Sequence, residues 1–124
     1  MSILVEHDIE RNLSLFTLTS EVSSQDLLNA LIDFYANYPT MNVLIDLGEM
    51  TMQSVLMSDV SYLANFARRY DNDRDGGKSA IVAKSDWALD LAKVFKEFSD
   101  IGKTSFKVEI FPDREKAMEW IDDK

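Results

Sequence analysis

The stretch NVLIDLGEMT, residues 42–51, decides how the rest of the chain is read. Val43, Leu44 and Ile45 form an unbroken apolar run, the pattern of a strand covered on both faces, because a half-wet strand would alternate. Such a strand needs partners above and below it, which points to the α/β class. Asp46 at its end is compatible with a phosphoacceptor, a metal ligand or a polar stop. A strand-end aspartate usually accepts backbone N–H bonds in the turn that follows, and that reading is preferred.

Upstream, Ile3–His7 and Leu13–Thr19 flank the polar turn Asp8–Asn12 and predict a β-hairpin, with the second arm partly alternating as if one face were wet. Ser23 can cap a helix with Asp26 three residues on, and Leu27, Leu31, Phe34 and Tyr38 recur at helical spacing until Pro39. Downstream, Leu56, Val60, Leu63, Ala67 and Tyr70 form the apolar stripe of a second helix, with Asp59, Asn65, Arg68 and Arg69 on its outer face. The polar turn 71–77 leads to a buried strand, Ala80–Ala83. Ser85 or Asp86 caps a third helix whose apolar face is Ala88, Leu91, Phe95 and Phe98, flanked by Trp87 and Val94 and ended by Gly102. Phe106, Val108 and Ile110 alternate with Lys107 and Glu109, as a strand near a sheet edge does, and Pro112-Asp113 opens a last helix carrying Ala117, Trp120 and Ile121. The order ββαβαβαβα implies a single α/β domain over residues 1–124, a mixed sheet of about five strands with four helices and right-handed parallel crossovers.

Composition narrows function. The 124 residues are 46% hydrophobic and 28% charged, ordinary for a globular domain, and the net charge is -9. Arg68-Arg69 is the only adjacent basic pair, so no basic stripe exists for a phosphate backbone and no nucleic-acid partner is expected. There is no cysteine, hence no disulfide, thiolate nucleophile or cysteine zinc site. The opening MSILVEHDIERN lacks the form of a signal peptide, and no apolar run approaches the roughly 18 residues of a membrane span. A cytoplasmic protein is expected.

Several constellations invite chemistry. Asp71, Asp73 and Asp75 alternate ahead of Gly76 like the first half of a calcium loop, yet the closing twelfth position is Val82, so a solvated turn is preferred to weak calcium binding. Asp46 and Lys84 suit a receiver-type phosphoacceptor site, but the magnesium-holding acids are missing; Asp8 comes closest and precedes a hairpin turn. His7 is the sole histidine and has no cysteine or glycine-flanked serine to activate. Glycines occur only at 48, 76, 77 and 102, so no phosphate-cradling loop exists. No catalytic set, metal or cofactor is expected. Ser54 and Ser58 stand near the start of the second helix, where an added phosphate is electrostatically favoured, although an N-cap role for Ser54 is simpler. Met50, Met52, Val55, Leu56 and Met57 lie around them; unbranched thioethers suit adaptable binding surfaces, while about half or more of this set is expected in the core.

The segments NVLIDLGEMT, GGKSAIVAKSDWALDLAKVFKEF and FKVEIFPDREKAMEWI resemble the STAS-like proteins, most closely the SpoIIAA-like branch. That branch resembles anti-sigma-factor antagonists and is grouped with CRAL-TRIO lipid-binding domains. The likeness covers nearly the whole chain and implies a non-enzymatic regulatory or protein-interaction module. In the antagonists the loop after the strand matching Val43–Ile45 presents an Asp-Ser pair whose serine is phosphorylated. The nearest match here is Gln53-Ser54, without the acid. Interaction or phosphoswitch candidates are therefore Asp46, Met52, Ser54, Met57 and Ser58. The alternative is a small apolar-ligand or lipid-binding domain, with a pocket at Lys84, Ser85, Asp86 and Trp87 between the third helix and the sheet. The edge strand Phe106–Phe111 offers a route to a homodimer.

Overall fold

A computed structural model of the chain describes residues 3–18, 22–37, 39–48, 57–70, 74 and 76–123. Strands β1 (Ile3–Asp8) and β2 (Leu13–Leu18) form the antiparallel hairpin, and β3 (Asn42–Gly48), β4 (Lys78–Ala83) and β5 (Lys107–Phe111) run parallel to β2. The sheet order follows the chain, β1-β2-β3-β4-β5, so β3 is central and β5 is an edge. Between and after the strands lie α1 (Ser24–Asn37), α2 (Met57–Arg68), α3 (Asp86–Gly102) and α4 (Arg114–Asp122).

Side-chain alternation along β3 divides the core. Val43 and Leu47 join a cluster with Phe34 and Tyr35 of α1, Val60 and Ala67 of α2, and Ala88 and Leu91 of α3. Leu44 points the other way, to Leu13, Ala80, Val82 and the α4 residues Ala117 and Ile121. Three helices thus cover one face and α4 covers the other, which is why the Val43–Ile45 run has no polar break. Local caps start the helices. Ser23 and Asp26 exchange backbone-to-side-chain bonds (3.0 and 3.1 Å) ahead of α1, Ser85 Oγ accepts the Ala88 N–H, and the Asp113 carboxylate accepts the Lys116 N–H.

Three expectations change. The arm β2 is not half-wet: Leu13, Ser14, Phe16 and Leu18 are all buried, because β2 is an inner strand with layers on both sides. The buried stripe of α3 runs through Ala88, Leu91, Ala92 and Ser99, leaving Phe98 37% exposed. Finally, Gly102 does not terminate α3 by turning left-handed; Lys103 does, at φ 53°, with its N–H donating to Asp100 O. Gly102 instead lies under the Arg68 side chain: a Cβ there would lie 2.1 Å from Arg68 Nη1, and the exposed guanidinium would have to swing aside.

Candidate functional site

The carboxyl ends of β2, β3 and β4 converge where parallel sheets collect ligands. Asp46 is buried there, on the α4 side of β3. Its Oδ1 accepts the Gly48 N–H at 2.8 Å and its Oδ2 accepts Arg114 Nε at 2.6 Å. Arg114 is the first residue of α4, and its Nη2 donates to Thr17 Oγ1 at the end of β2. Gly48 adopts φ +58°, a left-handed conformation suited to glycine, and its carbonyl accepts the Lys84 N–H at 2.9 Å. Asp46 and Arg114 together therefore tie the ends of β2 and β3 to the start of α4, and the Gly48 carbonyl joins the residue that follows β4. The question raised by the strand-end acid is answered by this geometry: both oxygens are engaged in holding the turn, one by a backbone amide and one by a cation. Arg114 was missed from sequence, since nothing in the Pro112-Asp113-Arg114 turn signals a partner 68 residues away.

The remaining candidates divide. Met52 and Ser54 lie outside the described residues, as do Met50, Asp71, Asp73 and Asp75. Met57 and Ser58 open α2, and their side chains also lie outside the description. Beyond them the outward face of α2 carries Asn65, Arg68 and Arg69, all exposed, and also Tyr62 at 56% exposure. Nothing in the sequence marks Tyr62 as exposed, since it directly precedes Leu63 of the apolar stripe. Lys84 and Asp86 are exposed, Ser85 is the α3 N-cap, and Trp87 is half-buried against the helix-side core.

Near that group, but one to two turns further along α3, lies an apolar void of about 70 Å³. Its wall includes Phe16, Leu27, Leu31, Leu47, Leu63 and Phe95. Leu27, Leu31, Leu63 and Phe95 stand on the apolar stripes legible in the sequence, which cannot show that they fail to meet, since the gap depends on the spacing of three helices.

Two groups with reactive potential are absorbed by structure. His7 Nδ1 lies 2.7 Å from Ser14 Oγ, a fully buried hydroxyl that also takes a bond from Thr40 Oγ1 at 3.0 Å. In the polar turn, Arg74 is only 3% exposed; its guanidinium donates to Met41 O and Lys78 O and stands 4.6 Å from the centre of the Phe106 ring. Among the described residues no group of three or more His, Asp or Glu side chains is placed to hold a metal ion, and no helix is long and apolar enough to cross a membrane.

A family model described as SpoIIAA-like matches residues 15–122, from within β2 to the last residue of α4, and the chain belongs to that family. No curated protein and no solved structure matches it.

Proposed function

We propose that this SpoIIAA-like chain is a non-enzymatic regulatory module that docks a protein partner, in the manner of an anti-sigma-factor antagonist, through the segment 48–58 and the outward face of α2. One observation carries the reading. The segment leaves the carboxyl end of the central strand from a base fixed by Asp46, Gly48 and Arg114. A recognition segment needs such a base, because contacts held out of register by an ångström lose most of their worth. On the other side α2 presents Tyr62 with Arg68 and Arg69, residue types enriched in protein interfaces. Met52 and Met57 supply adaptable contacts, and a phosphate on Ser54 or Ser58 would add charge beside the start of α2. Capture from a native lysate tests this: partners held by the wild type are expected to be lost from the Met52→Asp, Met57→Asp double variant. Retention of every partner by that variant would exclude this surface.

A second reading, binding of a small apolar ligand, is favoured by the void beside α3. Native mass spectrometry of freshly purified protein is its test, and a clean apo mass throughout counts against it. Pairing of two copies through β5 is the weakest partner proposal. Lys96 reaches from α3 to both Asp100 and Glu109 (3.2 Å each), so a charged side chain guards that edge as native sheets guard theirs.

A further inference from the structure

We infer that the void beneath the opening turns of α1, α2 and α3 is a receptor for a compact, uncharged apolar group of roughly three carbon atoms, on a scale in which a 150 Å³ dry cavity holds benzene. The inference rests on the apolar-ligand reading above and narrows it.

Position is the first ground. Leu47 comes next to last in β3, Leu27 sits in the first turn of α1, Val60 in the first turn of α2 and Leu91 in the second turn of α3, and all four line the void. The space therefore lies between the helix layer and the sheet, running from Phe16, Ile45 and Ile81 at mid-strand toward the carboxyl end of β3 at Leu47. Chemistry is the second ground. Among the described residues every lining side chain is a hydrocarbon: leucine, isoleucine, valine, alanine or phenylalanine. Water gains no hydrogen bond on such a wall, and a charged or hydroxylated ligand would lose its hydration without return. Only an apolar occupant is stabilised.

Size is the third ground, and it separates this ligand class from whole lipids. A volume of about 70 Å³ admits a propane-sized group and excludes an acyl chain unless side chains part. The side chains that would part are identifiable. Phe16, Leu31, Ile45 and Phe95 also wall a second void of about 20 Å³ that continues toward Phe34 and Phe106. A longer occupant would have to displace Leu31 or Phe95 to enter it, so the short ligand comes first.

Methyl NMR of the full chain, recorded in xenon-equilibrated and propane-equilibrated buffer, tests the inference. Saturable shifts are expected at Leu27, Leu47, Val60, Leu63 and Ile81, with Leu44 and Val82 on the α4 face unmoved. Ala30→Leu and Ala92→Val, which add carbon to the wall from two different helices, should each weaken the response about tenfold, the effect of 1.4 kcal/mol. Leu63→Ala enlarges the space and serves as the positive control. A silent wild type, whether or not the enlarged variant responds, overturns the inference, as do shifts centred away from this wall. If dodecanoate shifts the wild-type methyls while xenon and propane do not, the apolar-ligand reading survives and this narrower assignment falls. If the gases bind here and the purified protein keeps a clean apo mass, the assignment stands and no occupant is carried through purification.

Discussion

At the amino ends of the parallel strands the chain is bolted together; at the carboxyl ends one charged cluster and a void stand in place of the bolts. At the amino end, Arg74 donates to Met41 O and Lys78 O, the Asn12 side chain accepts the Met41 N–H, and the Asn42 side chain accepts the Lys78 N–H. Lys78 Nζ continues to Trp120 O at 2.8 Å and to Asp123 O, placing a cation at the carboxyl end of α4 where the helix dipole favours it. At the carboxyl end the corresponding work falls to Asp46 and Arg114, and the apolar layer above them is incompletely filled. The difference teaches where each duty lies. One end spends its polar side chains satisfying backbone groups, so it holds the fold; the other keeps room and exposed side chains, which is why recognition is proposed there.

The sharpest way to break this contrast is at adjacent glycines of the bolted end. A Cβ on Gly77 would lie 1.9 Å from Met41 O and 2.9 Å from Met41 C, backbone atoms that cannot swing aside. Gly77→Ala should therefore cost about 3 kcal/mol or more, among the larger effects of single substitutions. At Gly76 nothing lies within 4 Å of an added Cβ, but φ is +81°, so Gly76→Ala should cost only about 1–2 kcal/mol of backbone strain. Urea unfolding measures both. Equal midpoints would mean that the close approach of the 41 and 77 backbones does not hold this end.

The two buried or half-buried arginines give the next comparison. Arg74→Met keeps the length of the side chain but strips donors from the Met41 and Lys78 carbonyls, with an expected loss of about 2–3 kcal/mol. Arg114→Met leaves the Asp46 carboxylate without its cation. Because the Arg114 side chain is 42% exposed, solvent screens the pair and the loss should be smaller, about 1 kcal/mol. The functional effects should invert. Partner capture is expected to survive Arg74→Met below its unfolding midpoint and to weaken with Arg114→Met, which frees the base of the recognition segment. If Arg114→Met captures partners as the wild type does, Asp46 holds the strand end and nothing beyond it.

How legible each end was follows from the range of its interactions. The two-faced strand at Val43–Ile45, the hairpin, and the caps at Ser23, Ser85 and Asp113 were readable because each depends on residues within a few positions of one another. Arg74 sat in an acidic turn, where a charge reads as solvated, yet it fills the core between Met41, Lys78 and Phe106. Phe98 looked like core and Ser99 did not; the rotation of α3 against α2 and the sheet reverses them. Lys103 carries no chemical sign of a left-handed turn. Of the site, Asp46 was legible as a strand-end acid, whereas Arg114, Tyr62 and the void required the fold itself. Met52 and Ser54, outside the described residues, still rest on sequence alone.

The smallest effect concerns pH and the opening turn of α1, which supplies Leu27 to the void. The Ser23 backbone N–H, and after it the Ser23 hydroxyl, hold the Asp26 carboxyl below its ordinary range. A carboxyl depressed by folding adds stability that is present above its unfolded value and lost as pH falls through the folded one. Acid should therefore loosen this cap. Lys96 works with the opposite sign: its bond to Asp100, with that to Glu109, raises it, so its contribution persists through neutrality and fades only as pH climbs past the ordinary lysine range. Ser23→Ala should cost about 1 kcal/mol. It should leave most of the acid limb of the α1 amide exchange rates in place, because the Ser23 backbone N–H still holds the carboxyl, whereas Asp26→Asn should flatten that limb; β4 amide exchange should be unchanged in both. Were β4 to loosen with α1 on acidification, the two ends of the sheet would be one cooperative unit, and the division of labour between them would be wrong.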